Sequence, residues 1–481
     1  MAITKNPDKI DFKTFSNIIN GQARDTPATR HGINPSTCEA LPPSPVSTHQ
    51  DVDEAVKAAR TAFRTWRKTP VEFRKEKIKA LAAEILTHKD EFSRLLTLEQ
   101  GKPWAEHEIQ NGWKWLTGTC DLDLPVDEVE DNSERRVSTQ YVPLGVVVGI
   151  VPWNFPIMLL CGKLAPALMT GNCIIVKPSP FTPYCGIKIV ELAQRFFPPG
   201  VVQVLSGGDD LGPMLTAHPG IDKISFTGST ATGKKVMESA SKNLTRVTLE
   251  LGGNDAAIVC SDADVELSAS QIAFAAFLNS GQICIAVKRI YVHEDIYDRF
   301  KDCFMTHLSQ LKVGDGLADG VFMGPVQNKF QYGRIQELLV DITKNNYNIL
   351  KGGNVPEGQK KGFFVQPIVV DNPPDDSQIV VEEPFGPVVP LLKWAGVEDV
   401  LSRVNASDMG LGASVWTADN ELGLQIAEGL DVGSVWLNEH LGIQPTATFG
   451  GHKKSGIGRE WGVDGLRGYC NSRTLFVKRT Q

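Results

Sequence analysis

Between residues 146 and 241 short β-branched runs alternate with helical stretches. The runs are "GVVVGIVP", "CIIVKPS", "VVQVLSG" and "KISFTGS"; the helical stretches are "IMLLCGKLAPALMTG", "YCGIKIVELAQRF", "GPMLTAHP" and "TATGKKVMESAS". The first run is continuously apolar, as a strand buried on both faces must be. Repeated strand–helix–strand units bring successive strands side by side in parallel, with helices covering the sheet. They predict a mostly parallel, doubly wound sheet whose carboxyl edge is the place for a nucleotide. From about residue 250 a second alternating set begins with "AAIVC", a helix through "VELSASQIAFAAFLNSG", "KRIYVH" and a helix through "YDRFKDCFMTHLSQL", and runs on to "GSVWLN". The predicted fold class is therefore α/β, with two doubly wound parallel-sheet domains. "DLPVDEVEDNSERRVSTQYV" and the C-terminal "SRTLFVKR" belong to no such unit and read as a small antiparallel arm. Ahead of all this, the first 45 residues read as irregular or short strands. Ser47 or Thr48 then caps a helix with Val52, Val56, Ala59 and Phe63 on one face. "RKEKIKALAAEILTHKDEFSRLLTLEQGK" reads as one longer helical stretch closing at Gly101.

At 481 residues the chain exceeds one ordinary core, so two or three domains are expected. A net charge of −7 with no basic block argues against nucleic acid as a partner. The longest apolar stretch, "LGVVVGIVPW", falls short of a membrane span. The nine cysteines are spread without a C-x-x-C, the usage of a reducing compartment. The nine histidines form no H-x-x-x-H or H-E-x-x-H, so no metal is expected. The N-terminus has no apolar signal core and "FVKRTQ" is no peroxisomal address, which leaves the cytoplasm as the expected location.

Five motifs carry chemistry, and each also has a plain structural reading. "ISFTGSTATGKK" has the outline of a phosphate loop, but Lys235 stands where Ser or Thr should hold magnesium. A triphosphatase is disfavoured, while Gly228 and Ser229 at a helix start can still cradle a pyrophosphate. The G-x-G-x-x-G fingerprint follows no predicted strand. "TLELGGND" puts Glu250 at the end of an apolar strand, where burial raises a carboxyl pKa toward that of a useful base; the alternative is a surface strand end. "VPWNFP" fixes Asn154 between prolines, as an oxyanion donor or a turn residue. "EEPFGP" sets Glu382 and Glu383 beside a rigid turn, as ribose acceptors or solvated loop carboxylates. Within "FLNSGQICIA", Cys284 is either a nucleophile or one more buried thiol.

Together, and in this order, "PWNFP", "GNCIIVKPS", "FTGSTATG", "LELGG", "FLNSGQIC", "EEPFGP" and "FGGHKKSGIGRE" resemble the aldehyde dehydrogenase superfamily, from about residue 20 to residue 475. The resemblance implies a cofactor-binding domain (1–122 and 143–249), a catalytic domain (250–455) and an oligomerisation arm (123–142 and 456–481), assembled as a homodimer or homotetramer. It implies that Cys284 attacks an aldehyde, that Asn154 and the Cys284 N–H hold the oxyanion, and that Glu250 activates water to release a carboxylic acid. Lys163 and Glu460 match proton-relay positions behind Glu250, although a core ion pair explains them equally well. Lys177 matches the adenosine-ribose contact, Ser229 with Gly228 the pyrophosphate contact, and Glu383 the nicotinamide-ribose contact. Trp153, Leu251 and Phe385 match residues beside the nicotinamide.

At one position the sequence departs from many NAD-preferring members, which carry Glu three residues after the strand-end Lys. Here Pro180 stands there, so repulsion of a 2′-phosphate is absent and Ser179 can donate to one. The implied cofactor is NAD, with NADP also admitted. The matching tunnel walls are Phe155, Leu159, Gly162, Ile283, Ile285, Ile443 and Phe449. Some relatives place Trp at Gly162, so glycine there is expected to widen the tunnel and remove one wall of a cation-binding aromatic cage. "NEHLGIQPTATFGG" lacks the Arg or Lys that a second substrate carboxylate would need. The expected substrate is an apolar aliphatic or aromatic aldehyde. The competing readings are a semialdehyde dehydrogenase, a cofactor-free ester hydrolase, and a retired member serving as a structural or binding protein. The last would be expected to have lost Cys284, Glu250 or Asn154, and all three are present.

Overall fold

The larger sheet has five parallel strands at its centre: Val202–Val204, Cys173–Lys177, Val146–Ile150, Lys223–Thr227 and Arg246–Glu250, in that spatial order. The structure is a computed structural model that describes residues 10–353 and 361–479. The outermost parts of the expected cofactor-binding and arm segments, 1–9 and 480–481, lie outside the described residues. An antiparallel hairpin, Asn17–Ile19 with Gln22–Arg24, extends one edge of the sheet, and Gly456–Ile457 extends the other. Every residue of Val146–Ile150 and Cys173–Lys177 is buried, as the continuous apolar runs require.

The second sheet has seven strands, ordered Asn348–Lys351, Ile368–Asp371, Val388–Trp394, Arg289–His293, Ala256–Val259, Gly412–Trp416 and Ser434–Leu437. All neighbours are parallel except the first pair. Alternate residues of one strand feed different cores: Ala256 and Ile258 pack on one side, Ala257 and Val259 on the other. Both faces are therefore dry, which makes this sheet as doubly covered as the first. The arm is a three-stranded antiparallel sheet of Cys470–Lys478, Arg135–Pro143 and Asp127–Asp131. Among the described residues no helix is long and apolar enough to cross a membrane.

Thr48 caps helix His49–Trp66 in a reciprocal capping box with Asp51. The single long helix expected from "RKEKIKALAAEILTHKDEFSRLLTLEQGK" is instead two, Val71–Thr87 and Lys89–Gln100, broken at His88. His88 leaves helical geometry at φ −105°, ψ 28°, and Asp90 and Glu91 restart the dipole in the next first turn. Phe12 packs against both His88 and Phe92, so the break lets the chain wrap a side chain that a straight helix would pass. Gly101 ends the second helix at φ +95°, and a Cβ there would sit 2.7 Å from Pro325 and 2.8 Å from Pro35. Ile258→Ala is expected to lower unfolding free energy by about 2–5 kcal/mol, against about 1 kcal/mol for Thr48→Ala, read from urea denaturation midpoints.

Candidate active site

Helix Val265–Phe277 does not continue to Cys284. It ends at Phe277, and Asn279 and Ser280 turn the chain with left-handed φ of 52° and 58°. Gly281 follows at φ +70°, where a Cβ would lie 2.3 Å from the Gly386 carbonyl. Cys284 is therefore not part of a core helix: the thiol is half-buried in a loop. That loop is held by polar side chains. Gln282 Nε2 donates to Asn279 O at 2.9 Å, and Gln282 Oε1 accepts from Gln327 N at 2.8 Å. Lys288 Nζ donates to Ile283 O at 2.8 Å and Cys284 O at 2.6 Å, and pairs with Glu383 at 3.4 Å. Burial pushes the Cys284 thiol up to about 12; nearby Lys288 opposes this, and Asp255, Glu383 and Glu250 add to it. At neutral pH the sulfur is a thiol and needs a base to become a nucleophile.

Asn154 is buried, and its amide nitrogen donates to Gln282 O at 3.0 Å, which leaves its second hydrogen free. Its backbone carbonyl accepts from Lys102 Nζ at 2.6 Å. Lys102 pairs at 2.5 Å with Glu108, and both are almost fully buried. The other Glu108 oxygen accepts from Ile157 N at 2.8 Å and Met158 N at 3.2 Å. It thus caps helix Pro156–Met169, whose own entry residue supplies no side-chain cap. The Lys102 ammonium also lies 3.6 Å from the Phe155 ring centroid. None of Lys102, Glu108, Gln282 and Lys288 was singled out from the sequence. The available signal was a Lys directly after the Gly101 stop and a Glu within an apolar helix face, "AEHEIQNGW".

Strand Arg246–Glu250 delivers Glu250 to the carboxyl edge of the large sheet. Glu250 is 5% exposed, and neither carboxylate oxygen has a hydrogen-bond partner among the described residues. Burial holds its pKa well above the usual carboxylate range, Glu460 adds to this, and Lys163 and Arg459 oppose it. Lys163 Nζ donates to Ser225 Oγ at 2.8 Å and lies 3.4 Å from Glu460 Oε1, and the Ser225 hydroxyl donates to the same Glu460 oxygen. The structure thus joins Lys163 and Glu460 through Ser225, next to Glu250 electrostatically but without a hydrogen bond to it.

The cofactor-matching residues share the same edge. Lys177 ends its strand, is 7% exposed, and its ammonium makes no hydrogen bond or ion pair to a described residue. Burial lowers its pKa to about 8, with Asp209 opposing and Arg30 adding to the depression. Arg30, absent from the sequence reading, reaches Gly207 O at 3.3 Å from the N-terminal region. Ser179 is buried and its Oγ accepts from Phe181 N at 3.2 Å, with Pro180 between them. Ser229 follows Gly228 and caps helix Thr230–Ser241, its Oγ accepting from Thr232 N at 3.2 Å. Glu383 Oε1 accepts from Gly253 N at 3.1 Å, and its Oε2 would lie 2.3 Å from a Cβ on Gly252, so a side chain there would displace the carboxylate. Leu251 is fixed by its N–H to Ser455 O at 2.9 Å. Trp153 and Phe385 meet edge to face at 5.3 Å. A dinucleotide fits this set: a helix N-terminus for its phosphates, a buried ammonium without a partner for one ribose and a carboxylate for the other.

Ile283, Ile285 and Phe449 are buried, and Phe155, Leu159, Ile443 and Cys284 pack on the same apolar cluster. Gly162, however, does not widen a tunnel. A Cβ there would meet Trp461 Nε1 at 2.9 Å and Trp115 Cδ1 at 3.2 Å, so two indoles already fill the space. Trp461 stacks on Phe449 at 4.7 Å and meets Trp115 edge-on at 4.9 Å. Its backbone, at φ 58° and ψ 176°, occupies a region that is almost exclusive to glycine and costs about 1–3 kcal/mol. The aromatic wall missing at residue 162 is thus supplied from elsewhere in the chain. Lys102→Met is expected to cost about 3–5 kcal/mol in urea unfolding by stranding the Glu108 carboxylate, with Lys102→Arg milder.

The chain matches the model of the aldehyde dehydrogenase family over residues 23–475. It is 42% identical to a protein of Gibberella fujikuroi assigned as an aldehyde dehydrogenase, covering 97% of this chain and 100% of that one. It is 36% identical to phenylacetaldehyde dehydrogenase of Pseudomonas fluorescens, covering 93% and 92%. The crystal structure of betaine aldehyde dehydrogenase from Staphylococcus aureus in complex with NAD+ superposes with a TM-score of 0.92 at 31% identity, covering 96% of this chain and 94% of that one. The chain belongs to the aldehyde dehydrogenase family, and its reaction is the oxidation of aldehydes.

Proposed function

We propose that the protein oxidises an apolar aliphatic or aromatic aldehyde to its carboxylic acid, with Cys284 as nucleophile and NAD as hydride acceptor. The observation that carries this reading is the buried, unpartnered Glu250 carboxylate in electrostatic contact with the Cys284 thiol. Cys284 gives its proton to a solvent water as the sulfur adds to the aldehyde carbon, giving a thiohemiacetal whose oxyanion accepts from the free Asn154 amide hydrogen and the Cys284 N–H. NAD, when bound, would supply the hydride acceptor for that carbon, leaving Cys284 as a thioester. Glu250 then takes a proton from water as the oxygen attacks the thioester, and acid and free thiol leave. The Lys163–Ser225–Glu460 set receives the Glu250 proton on its way out.

Lys177 and Glu383 hold the two riboses, while Ser229 and the helix start at Gly228 hold the pyrophosphate. Trp153, Leu251 and Phe385 flank the nicotinamide. Pro180 admits NADP as well as NAD, and Ser179 is placed to donate to the 2′-phosphate. Phe155, Leu159, Ile283, Ile285, Ile443 and Phe449, with Trp461 and Trp115 behind Gly162, line an apolar passage suited to a ring or an alkyl chain. The large sheet with the N-terminal segment (1–122 and 143–249) is the cofactor-binding unit, and 250–455 is the catalytic unit. The arm (123–142 and 456–481) joins copies into a homodimer or homotetramer, with the exposed Val129 and Phe476 available to meet a partner. The protein acts in the cytoplasm.

Variants, a pH profile and a comparison of aldehydes test the reading. Cys284→Ala is expected to abolish both cofactor reduction and acid release. Glu250→Gln is expected to give a burst of one equivalent of reduced cofactor and then a turnover lowered about 10²–10⁴-fold. Because the Glu250 pKa is raised, its base form accumulates only as pH rises; acid release in the wild type should therefore climb with pH, and that limb should vanish in Glu250→Gln. Pro180→Glu should depress kcat/KM with NADP while sparing NAD. Faster oxidation of succinate semialdehyde than of phenylacetaldehyde or hexanal would overturn the substrate class.

A further inference from the structure

On either side of the catalytic loop in sequence, two adjacent helices bring together three side chains that have no place in aldehyde oxidation. Glu266 lies in the first turn of helix Val265–Phe277. Cys303 and His307 lie one turn apart on helix Tyr297–Ser309, so both project from the same face. Their ligand-type atoms all lie within 4.8 Å of one another. The Cys303 thiol donates to Glu266 Oε2 at 2.9 Å. His307 Nε2 stands 3.4 Å from the other Glu266 oxygen, yet it is buried and makes no hydrogen bond. That nitrogen is a second observation: a covered ring nitrogen normally makes a hydrogen bond, and here it has only the 3.4 Å approach to Glu266 Oε1, without hydrogen-bond geometry. Glu266 is 75% exposed, so the cluster is open to ions from solvent.

We propose that Glu266, Cys303 and His307 form a binding site for a zinc-class divalent cation, with water as fourth ligand. The donor set argues for this class. Thiolate, imidazole and carboxylate are the zinc ligands, at about 2.0–2.3 Å, whereas magnesium and calcium demand oxygen-rich sets. Tetrahedral ligands at those lengths stand about 3.3–3.8 Å from one another, so small rotations of the Cys303 and Glu266 side chains convert the present contacts into a coordination shell. On binding, the Cys303 S–H bond gives way to a sulfur–metal bond and its proton passes to solvent. The H-x-x-x-H search of the sequence passes over this site because its helical pair is C-x-x-x-H and its third ligand lies 37 residues earlier.

The site sits at the end of helix Val265–Phe277 opposite the turn that leads to Cys284. A bound cation would fasten this helix to its neighbour without touching the reacting atoms. It is expected to act on stability rather than on the rate of aldehyde oxidation.

The test uses reduced, chelator-stripped full-length protein titrated with Zn²⁺, and in parallel with Co²⁺. Cys284→Ser serves as a background that removes the catalytic thiol as a competing ligand. One equivalent of Zn²⁺ should bind in both wild type and Cys284→Ser, raising the thermal midpoint. Co²⁺ should give a thiolate charge-transfer band that Cys303→Ser abolishes. His307→Gln and Glu266→Gln should each weaken Zn²⁺ binding at least about tenfold, with aldehyde oxidation unchanged. Two results would overturn the proposal: equal Zn²⁺ uptake in wild type and the Cys303→Ser and His307→Gln variants, or no bound equivalent at micromolar Zn²⁺. Neither depends on whether Cys284 is the nucleophile.

Discussion

The Lys102–Glu108 pair, closed to water, is the interaction on which the active site is built. One ammonium holds the Asn154 carbonyl and sits over Phe155, and one carboxylate caps the helix that begins two residues later. A buried ion pair of this kind adds little net stability compared with an apolar replacement. It does fix geometry, because neither charge tolerates a shift that leaves it alone. Glu99 repeats the device one helix along, its two oxygens accepting from Tyr184 N and Cys185 N. Burial pushes Glu99 up to about 7, against the hydrogen bonds it accepts from Cys185 and Tyr184.

The reacting groups face the opposite condition. Glu250 has no hydrogen-bond partner among the described residues, and burial raises the pKa of both Glu250 and Cys284. Their reactivity depends on which of them holds a proton at each step. The groups around them are correspondingly over-constrained. Lys288 fixes the loop carbonyls and reaches Glu383, and Gln282 ties the loop to Asn154. Trp461 is held in a backbone conformation that bulky residues avoid, pinned between Phe449 and Trp115. Strain of this size persists where the surrounding packing over-determines it.

Much of this was legible in the residue order. The continuous runs 146–150 and 173–177 read as doubly buried strands because a parallel sheet leaves no wet face. Glu250 and the Gly228–Ser229 helix start read as site residues because each falls at a strand's carboxyl end or a helix start, where a local pattern fixes position; Lys177 read as one through the family resemblance. The break at His88 was not legible, because it answers to Phe12, more than seventy residues earlier. Nor was the effect of Gly162: its missing side chain looked like empty space, and the two indoles that fill it come from residues 115 and 461.

The sequence by itself determined the strand–helix alternation, the carboxyl-edge placement of Glu250 and Lys177, and the family. Those follow from periodicity and motifs spanning a few residues. Only the tertiary structure decided which buried charges are paired and which stand alone, since that depends on side chains meeting across long separations. Lys102 finds Glu108 and Asn154; Lys163 finds Glu460 through Ser225. Glu250 finds nothing, and desolvation without a partner is what gives a carboxyl group a base's pKa.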